Sequence, residues 1–150
     1  MEYNNPSLLI KELNFGEDAK TKINAGVTKL ANAVKSTLGA SGRCVIYEDA
    51  RGNPVITKDG VTVAESVVLY DPVENIGATL IKEAARNTVK EAGDGTTTAT
   101  VLSEALLKRY NEAKDADRSV RLGVSSCLDK VIKYLNDIKI EVTEELLEHV

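Results

Sequence analysis

The sequence predicts a mainly α protein, a bundle of long helices with a small β-hairpin inserted. Three observations predict it. Apolar residues recur at three- and four-residue spacing along several long stretches, the pattern of a helix with one buried face. Only 4% of the 150 residues are aromatic and Trp is absent, so the core must be built from Ala, Val, Leu and Ile, which suits helices. The one pair of short apolar runs flanks a turn-forming segment, Asp49 to Asn53, as a hairpin requires.

The first helix is expected from Asp18 to Leu38, with Ile23, Val27, Leu30, Ala31, Val34 and Leu38 on its buried face. Asp18 is the expected N-cap, and Gly39 stands where a left-handed residue would end the helix. Arg43 to Tyr47 and Pro54 to Thr57 read as the two strands of the hairpin, and Asp59-Gly60 as a further tight turn. Val61 to Tyr70 alternates only in part, leaving strand and short helix both open. Pro72 opens a second long helix, Val73 to Ala92, whose buried side is read as Ile76, Leu80, Ile81, Ala84 and Thr88, with Gly93 at its end. A third helix starts among the threonines at 96–98 and runs to Tyr110, with Ala99, Leu102, Ala105 and Leu106 as its apolar stripe. Asn111 to Asp117 reads as a charged loop. A fourth helix, Asp117 to Ile138, is expected to bury Val120, Val124, Cys127, Leu128, Val131 and Leu135. Thr143-Glu144-Glu145 looks like a helix start, with Leu146, Leu147 and Val150 as an apolar face, and so short a helix is marginal by itself.

Composition narrows the function. A formal net charge of −4, with both signs mixed along the chain, lacks the basic stripe of a nucleic-acid binder. Scarce aromatics leave little for stacking on bases. Cys44 and Cys127 are too few and too far apart for a disulfide framework or a metal site, and both are expected to be buried small hydrophobes. His149 has no second histidine with which to build a metal centre. Met1 to Pro6 carry no basic and apolar leader pattern, and no apolar run approaches the ~20 residues of a membrane span, so no membrane partner and a cytoplasmic location are expected.

Three segments could carry chemistry. Gly93-Asp94-Gly95-Thr96-Thr97-Thr98 lies between one helix end and the next helix start, where unpaired N–H groups and the helix dipole favour an anion. Its glycines let a phosphate approach the backbone, its hydroxyls add donors, and Asp94 suits a Mg²⁺ ion bridging phosphate oxygens. The alternative is a tight turn capped by a threonine, but three consecutive threonines are excessive for one cap. Thr57-Lys58-Asp59-Gly60 sets a cation beside a carboxylate in a turn, or is an ordinary solvated turn. Thr37-Leu38-Gly39 alone is a capping signal. No glycine–lysine phosphate loop or dinucleotide fingerprint occurs.

In chain order, Thr37-Leu38-Gly39, then Thr57-Lys58-Asp59-Gly60, then Gly93-Asp94-Gly95-Thr96-Thr97-Thr98-Ala99-Thr100 resemble the ATP-binding half of the chaperonins, more closely the GroEL-type group I chaperonins. Lys11 to Ala19 is similar to the N-terminal segment of that family, and Val73-Glu74-Asn75-Ile76-Gly77-Ala78 to its next helix. The resemblance implies that residues 11–150 are the N-terminal portion of an equatorial ATP-binding domain, with residues 1–10 an extra leader of no assigned role. It implies that Thr37, Leu38, Gly39 and Ala40 line the nucleotide pocket and that Lys58 lies beside the phosphates. Asp59 would position the attacking water, Asp94 would hold Mg²⁺, and Gly95, Thr96, Thr97 and Thr98 would cradle the phosphates; K⁺ is a further candidate ion. Ala40 departs from the family, which has Pro there, so a looser loop is expected.

The resemblance also implies what lies elsewhere. The apical domain that takes unfolded clients and a co-chaperonin, the intermediate domain with its own aspartate, and the second equatorial half have no counterpart here. The expectation is therefore a truncated chaperonin subunit, half of a domain and not one complete domain. Its function would be ATP-dependent assistance of protein folding in a ring with other chaperonin subunits, the isolated chain being poor at turnover. The alternative is a non-catalytic interaction module that associates with full-length rings.

Overall fold

The computed structural model describes residues 13–113 and 118–147. The leader at 1–10, Lys11, Asp117, His149 and Val150 lie outside the described residues. Among those described are six helices and one two-stranded antiparallel sheet, so the mainly α class with a hairpin holds. The chain divides into two compact units, Met1–Lys108 and Arg109–Val150.

Helix α1 spans Gly16–Lys35. Phe15 occupies the N-cap in extended backbone with no side-chain cap, so Asp18 is not the cap; it lies with Glu17 in the first turn, where acids suit the helix dipole. The helix also stops three residues before Leu38. The Ser36 and Thr37 hydroxyls donate to the carbonyls of Ala33 (2.6 Å) and Val34 (2.8 Å), tightening the last turn. Leu38 is consequently turned out, and Gly39 takes the left-handed φ of +76° expected of it.

Strands β1 (Val45–Glu48) and β2 (Pro54–Thr57) pair with Ile46 opposite Ile56. β1 starts two residues later than Arg43 because the Arg43 N–H is committed to the Ser36 carbonyl at 2.8 Å. The connecting turn closes on the Asp49 carboxylate, which accepts from the N–H groups of Arg51 (2.8 Å) and Asn53 (2.9 Å) and is held below the usual carboxylate range by those bonds. The undecided stretch after Asp59 is helix α2, Gly60–Ser66.

Helix α3 spans Pro72–Ala92, with the Asp71 carboxylate accepting from the Val73 and Glu74 N–H groups. It lies against α1 at backbone distance: a methyl group on Gly26 would collide with the Glu74 carbonyl, and one on Gly77 with the Ile23 carbonyl. Ion pairs Lys29–Glu74 and Lys22–Asp71 (3.2 Å) flank the contact. Because small residues form this seam, the buried side of α3 is Val73, Gly77, Ala78, Ile81, Lys82 and Ala85. That corrects the expected face, of which Ile81 alone is buried, while Ile76 and Leu80 stay half-exposed. The core they close contains Val27, Leu30, Val34, Val63, Ala64, Ala78 and Ile81.

Helix α4 spans Thr96–Glu112 and is likewise rolled from the expected stripe. Thr96, Thr100 and Glu104 face inward, and Leu102 and Leu106 are each 58% exposed. Two of these inward groups are bonded: Thr100 Oγ1 donates to the Thr96 carbonyl (2.8 Å), and Glu104 accepts from Lys35 Nζ of α1 (2.7 Å). Asn111 and Glu112 continue this helix and do not belong to a loop, with Arg109 paired to Glu112 at 3.0 Å.

In the second unit, α5 (Arg118–Ile138) and α6 (Glu144–Leu147) follow. The α5 stripe exists as periodicity, yet none of its residues is buried, and Val124, Leu128, Val131 and Leu135 are exposed. Both cysteines are exposed as well, contrary to the core placement expected for them. The Leu146 N–H donates to the Thr143 carbonyl at 3.0 Å, so the expected start of the last helix holds.

The seam yields a test. Gly26→Ala or Gly77→Ala should lower stability by about 1–3 kcal/mol through overpacking. Gly123→Ala on α5, where an added carbon meets nothing, should raise helix stability by up to ~1 kcal/mol. Urea midpoints measure both, and an unchanged midpoint for Gly26→Ala would exclude the backbone-distance packing of α1 on α3.

Candidate functional site

The site is built by two chain reversals. In the first, α3 ends on Gly93, left-handed at φ +79°, whose N–H returns to the Val89 carbonyl at 2.7 Å. Gly95, at φ +98°, then turns the chain into α4, its carbonyl accepting the Ala99 N–H at 2.8 Å. Both angles lie in the region that disfavours any side chain, which is why glycine brackets Asp94. Asp94 Oδ1 accepts from the Gly95 N–H at 2.6 Å, so the carboxylate is folded over its own loop. The N–H groups of Thr96, Thr97 and Thr98 open a helix of 17 residues and have no intrahelical acceptor.

In the second reversal, β2 passes through Lys58 to Asp59, the N-cap of α2. The Asp59 carboxylate accepts from the Val61 N–H (3.3 Å), the Thr62 N–H (2.8 Å) and the Thr62 hydroxyl (2.5 Å). These bonds, the Thr62 hydroxyl foremost, outweigh its slight burial and hold it below the ordinary carboxylate range. Asp59 is therefore an anion at neutral pH.

Between the reversals lies a cleft of about 240 Å³. Leu38, Asp59, Gly60 and Val61 line one side, and Asp94 through Thr98 the other. Gly60 joins the sides, since a methyl group there would collide with Thr97 Oγ1. Thr96 is buried in the wall, and its Oγ1 has no hydrogen-bond partner.

Of the expected site residues, the cleft unites Leu38, Asp59, Asp94, Gly95, Thr96, Thr97 and Thr98. Thr37, Gly39, Ala40 and Lys58 lie outside its lining. The Thr37 hydroxyl is used within α1, Lys58 is exposed, and residues 39–43 form a tight loop closed by Gly42 N–H to Gly39 O (2.9 Å). Val61 also lines the cleft and was passed over by sequence reasoning, as was the role of Gly60 in its wall. Gly60 was legible only as a turn glycine, and the signal for its contact with Thr97 lies far along the chain.

The cleft can offer three backbone donors and threonine hydroxyls to an anion, with the Asp94 carboxylate beside them and Asp59 opposite. Among the described residues no three His, Cys, Asp or Glu side chains stand together as a metal site, so a cation here would need oxygen ligands from its companion as well. Fold and site thus define a mainly helical chain whose glycine–threonine loop opens a helix across a cleft from Asp59.

The TCP-1/cpn60 chaperonin family model matches residues 30–150, and the chain belongs to that family. Two crystal structures of the chaperonin gp146 from bacteriophage EL 2 (Pseudomonas aeruginosa), both in the presence of ATP-BeFx, match the fold. Crystal form II gives a TM-score of 0.74 and crystal form I 0.73, each at 34% identity over 85% of this chain. The chain spans 22–23% of the length of those chaperonins and corresponds to part of the equatorial domain.

Asp59 gives a prediction with a sign. Its folded pKa is depressed, so its contribution is present above the ordinary aspartate value of 3.8 and is lost as pH falls through the lower folded value. Asp59→Ala should cost about 1 kcal/mol at pH 7, with the difference from the parent shrinking below about pH 4. Asp59→Asn, still an N-cap, should cost less. Urea midpoints from pH 7 to pH 2.5 measure this, and a pH-independent difference for Asp59→Ala would refute the anionic cap.

Proposed function

We propose that this chain is the nucleotide-binding portion of an ATP-dependent chaperonin subunit of the GroEL-like group I type, which assists protein folding. The observation that carries the reading is the cradle at residues 93–98, opening α4 opposite Asp59 across one cleft, in a chain of chaperonin family. The residues fit a metal–triphosphate. Thr96 Oγ1 is a buried polar atom without a partner, and the α4 N-terminus supplies donors for phosphate oxygens. The ATP-BeFx of the gp146 crystals is consistent with the same ligand class.

In this reading Gly95 to Thr98 bind phosphate oxygens through backbone N–H and hydroxyl groups. Asp94 would hold Mg²⁺, which when bound neutralises phosphate charge and orients the chain. Asp59 accepts a hydrogen bond from the attacking water and orients it, its anionic form kept by the Thr62 bonds. Leu38 covers the apolar part of the nucleotide, with Thr37, Gly39, Ala40 and Lys58 assigned to the pocket's outer rim and K⁺ as a further ion. Ring assembly, clients, co-chaperonin and turnover belong to the proposal for the whole protein, and so does a cytoplasmic location. No described helix is long and apolar enough to cross a membrane.

The alternative, a non-catalytic module that joins full-length rings, is favoured by the exposed stripe of α5 and by Leu102 and Leu106. Co-migration with such rings without nucleotide binding would support it.

Calorimetry with ATP tests the main reading. Binding should require Mg²⁺, and Asp94→Ala should weaken it about 10- to 100-fold, the loss of one charged contact. Binding indifferent to both Mg²⁺ and Asp94 would overturn the assignment.

A further inference from the structure

Helix α2 has seven residues, too few to hold its own geometry, and it carries Asp59 at its N-terminus. Its Val63 and Ala64 are buried in the core, which fixes one side. Its other side borders an open groove of about 180 Å³, lined by Val61 and Glu65 of α2 and by Lys82, Ala85, Arg86 and Val89 of α3. Side chains along such a groove make fewer contacts across it, so apolar packing holds this side of α2 less firmly than the core side.

A polar clamp bridges that gap. Lys82 of α3 is buried, and its Nζ donates to the Val67 carbonyl (2.5 Å) and the Glu65 carbonyl (3.2 Å), at the C-terminal end of α2. Four residues on, Arg86 grips the Glu65 carboxylate with two donors, Nε to Oε1 at 2.6 Å and Nη2 to Oε2. Such a paired geometry fixes orientation as well as distance. The same helix α3 ends at Gly93, where the Asp94 loop begins.

We infer that Lys82 and Arg86 are positioning residues that fix α2, and through it set Asp59 against the Asp94–Thr98 cradle. One helix thereby determines both sides of the cleft, by its clamp on α2 and by its own end. The functional meaning rests on the nucleotide-site reading above, but the geometry does not.

The test is site-specific NMR on the whole chain, without nucleotide. In Lys82→Met, amide exchange at Val61 and Thr62 should accelerate about tenfold as α2 loosens. The Asp59 carboxyl titration should move up toward the ordinary aspartate range. Asp71, which caps the far end of α3, is the internal control and should not move. Lys82→Arg, which keeps a cationic donor, should restore both readings. Asp59 shares the cleft with one other charged group, Asp94, so an Asp94→Asn background separates that influence.

Should Lys82→Met fail to fold, Arg86→Gln decides, since Arg86 is exposed; it should give smaller changes of the same sign. An unmoved Asp59 in Lys82→Met, or in Arg86→Gln where the first does not fold, overturns the proposal, as would Asp59 and Asp71 moving together. Mg-ATP calorimetry on Asp59→Asn and Asp94→Ala is run separately. Its failure removes the nucleotide reading and leaves the clamp standing or falling by NMR alone.

Discussion

The close approach of α1 and α3 is the constraint on which the first unit depends. Gly26 and Gly77 let the two backbones meet where any side chain would collide, and the ion pairs of Lys29 and Lys22 flank that seam. Once α3 is seated, its far end is determined, and with it the left-handed Gly93 from which the Asp94 loop departs. Once α1 is seated, Leu38 beyond its last turn reaches the same cleft, and Lys35 meets Glu104 of α4. The site is therefore a consequence of helix packing some distance away.

That seam also explains what was legible in the sequence. Capping and turn chemistry is local, so the Pro72 entry, the Gly93 exit and the Asp49 hairpin turn were readable, with boundaries off by two or three residues where hydroxyls or a committed N–H intervened. Helix faces were not. Periodicity picks out the bulkiest stripe, Ile76 and Leu80 on α3 or Leu102 and Leu106 on α4, as if bulk implied burial. Close packing instead selected Gly77 and Ala78, and the Lys35 pair drew Glu104 inward with Thr100 above it. The bulky stripes stay exposed among the described residues, as does that of α5.

The candidate site divides along the same line. The cradle at 93–98 is contiguous in sequence, and so is Asp59 with its cap partners; both were legible because each is a local motif. What joins them is not local. Gly60 meets Thr97 across thirty-odd intervening residues, and Lys82 meets α2 through carbonyls that no sequence pattern marks. Lys58, the obvious cation by sequence, is exposed and outside the lining, while the lysine that shapes the site is a buried one on another helix.

The charge of the cleft limits what can enter it. Its charged lining residues are Asp59, held as an anion, and Asp94. Each carboxylate repels an approaching anion, the more strongly the less water lies between them. The α4 N-terminus returns about 0.3–2 kcal/mol to an anion and so works against that repulsion. On the nucleotide-site reading, a bare polyphosphate meets both carboxylates, and the donors of Thr96 to Thr98 would serve it best when a divalent cation enters with it. The same carboxylates that discourage a free anion favour a cation–anion pair, so on that reading the metal would be a condition of recognition and not an accessory to it.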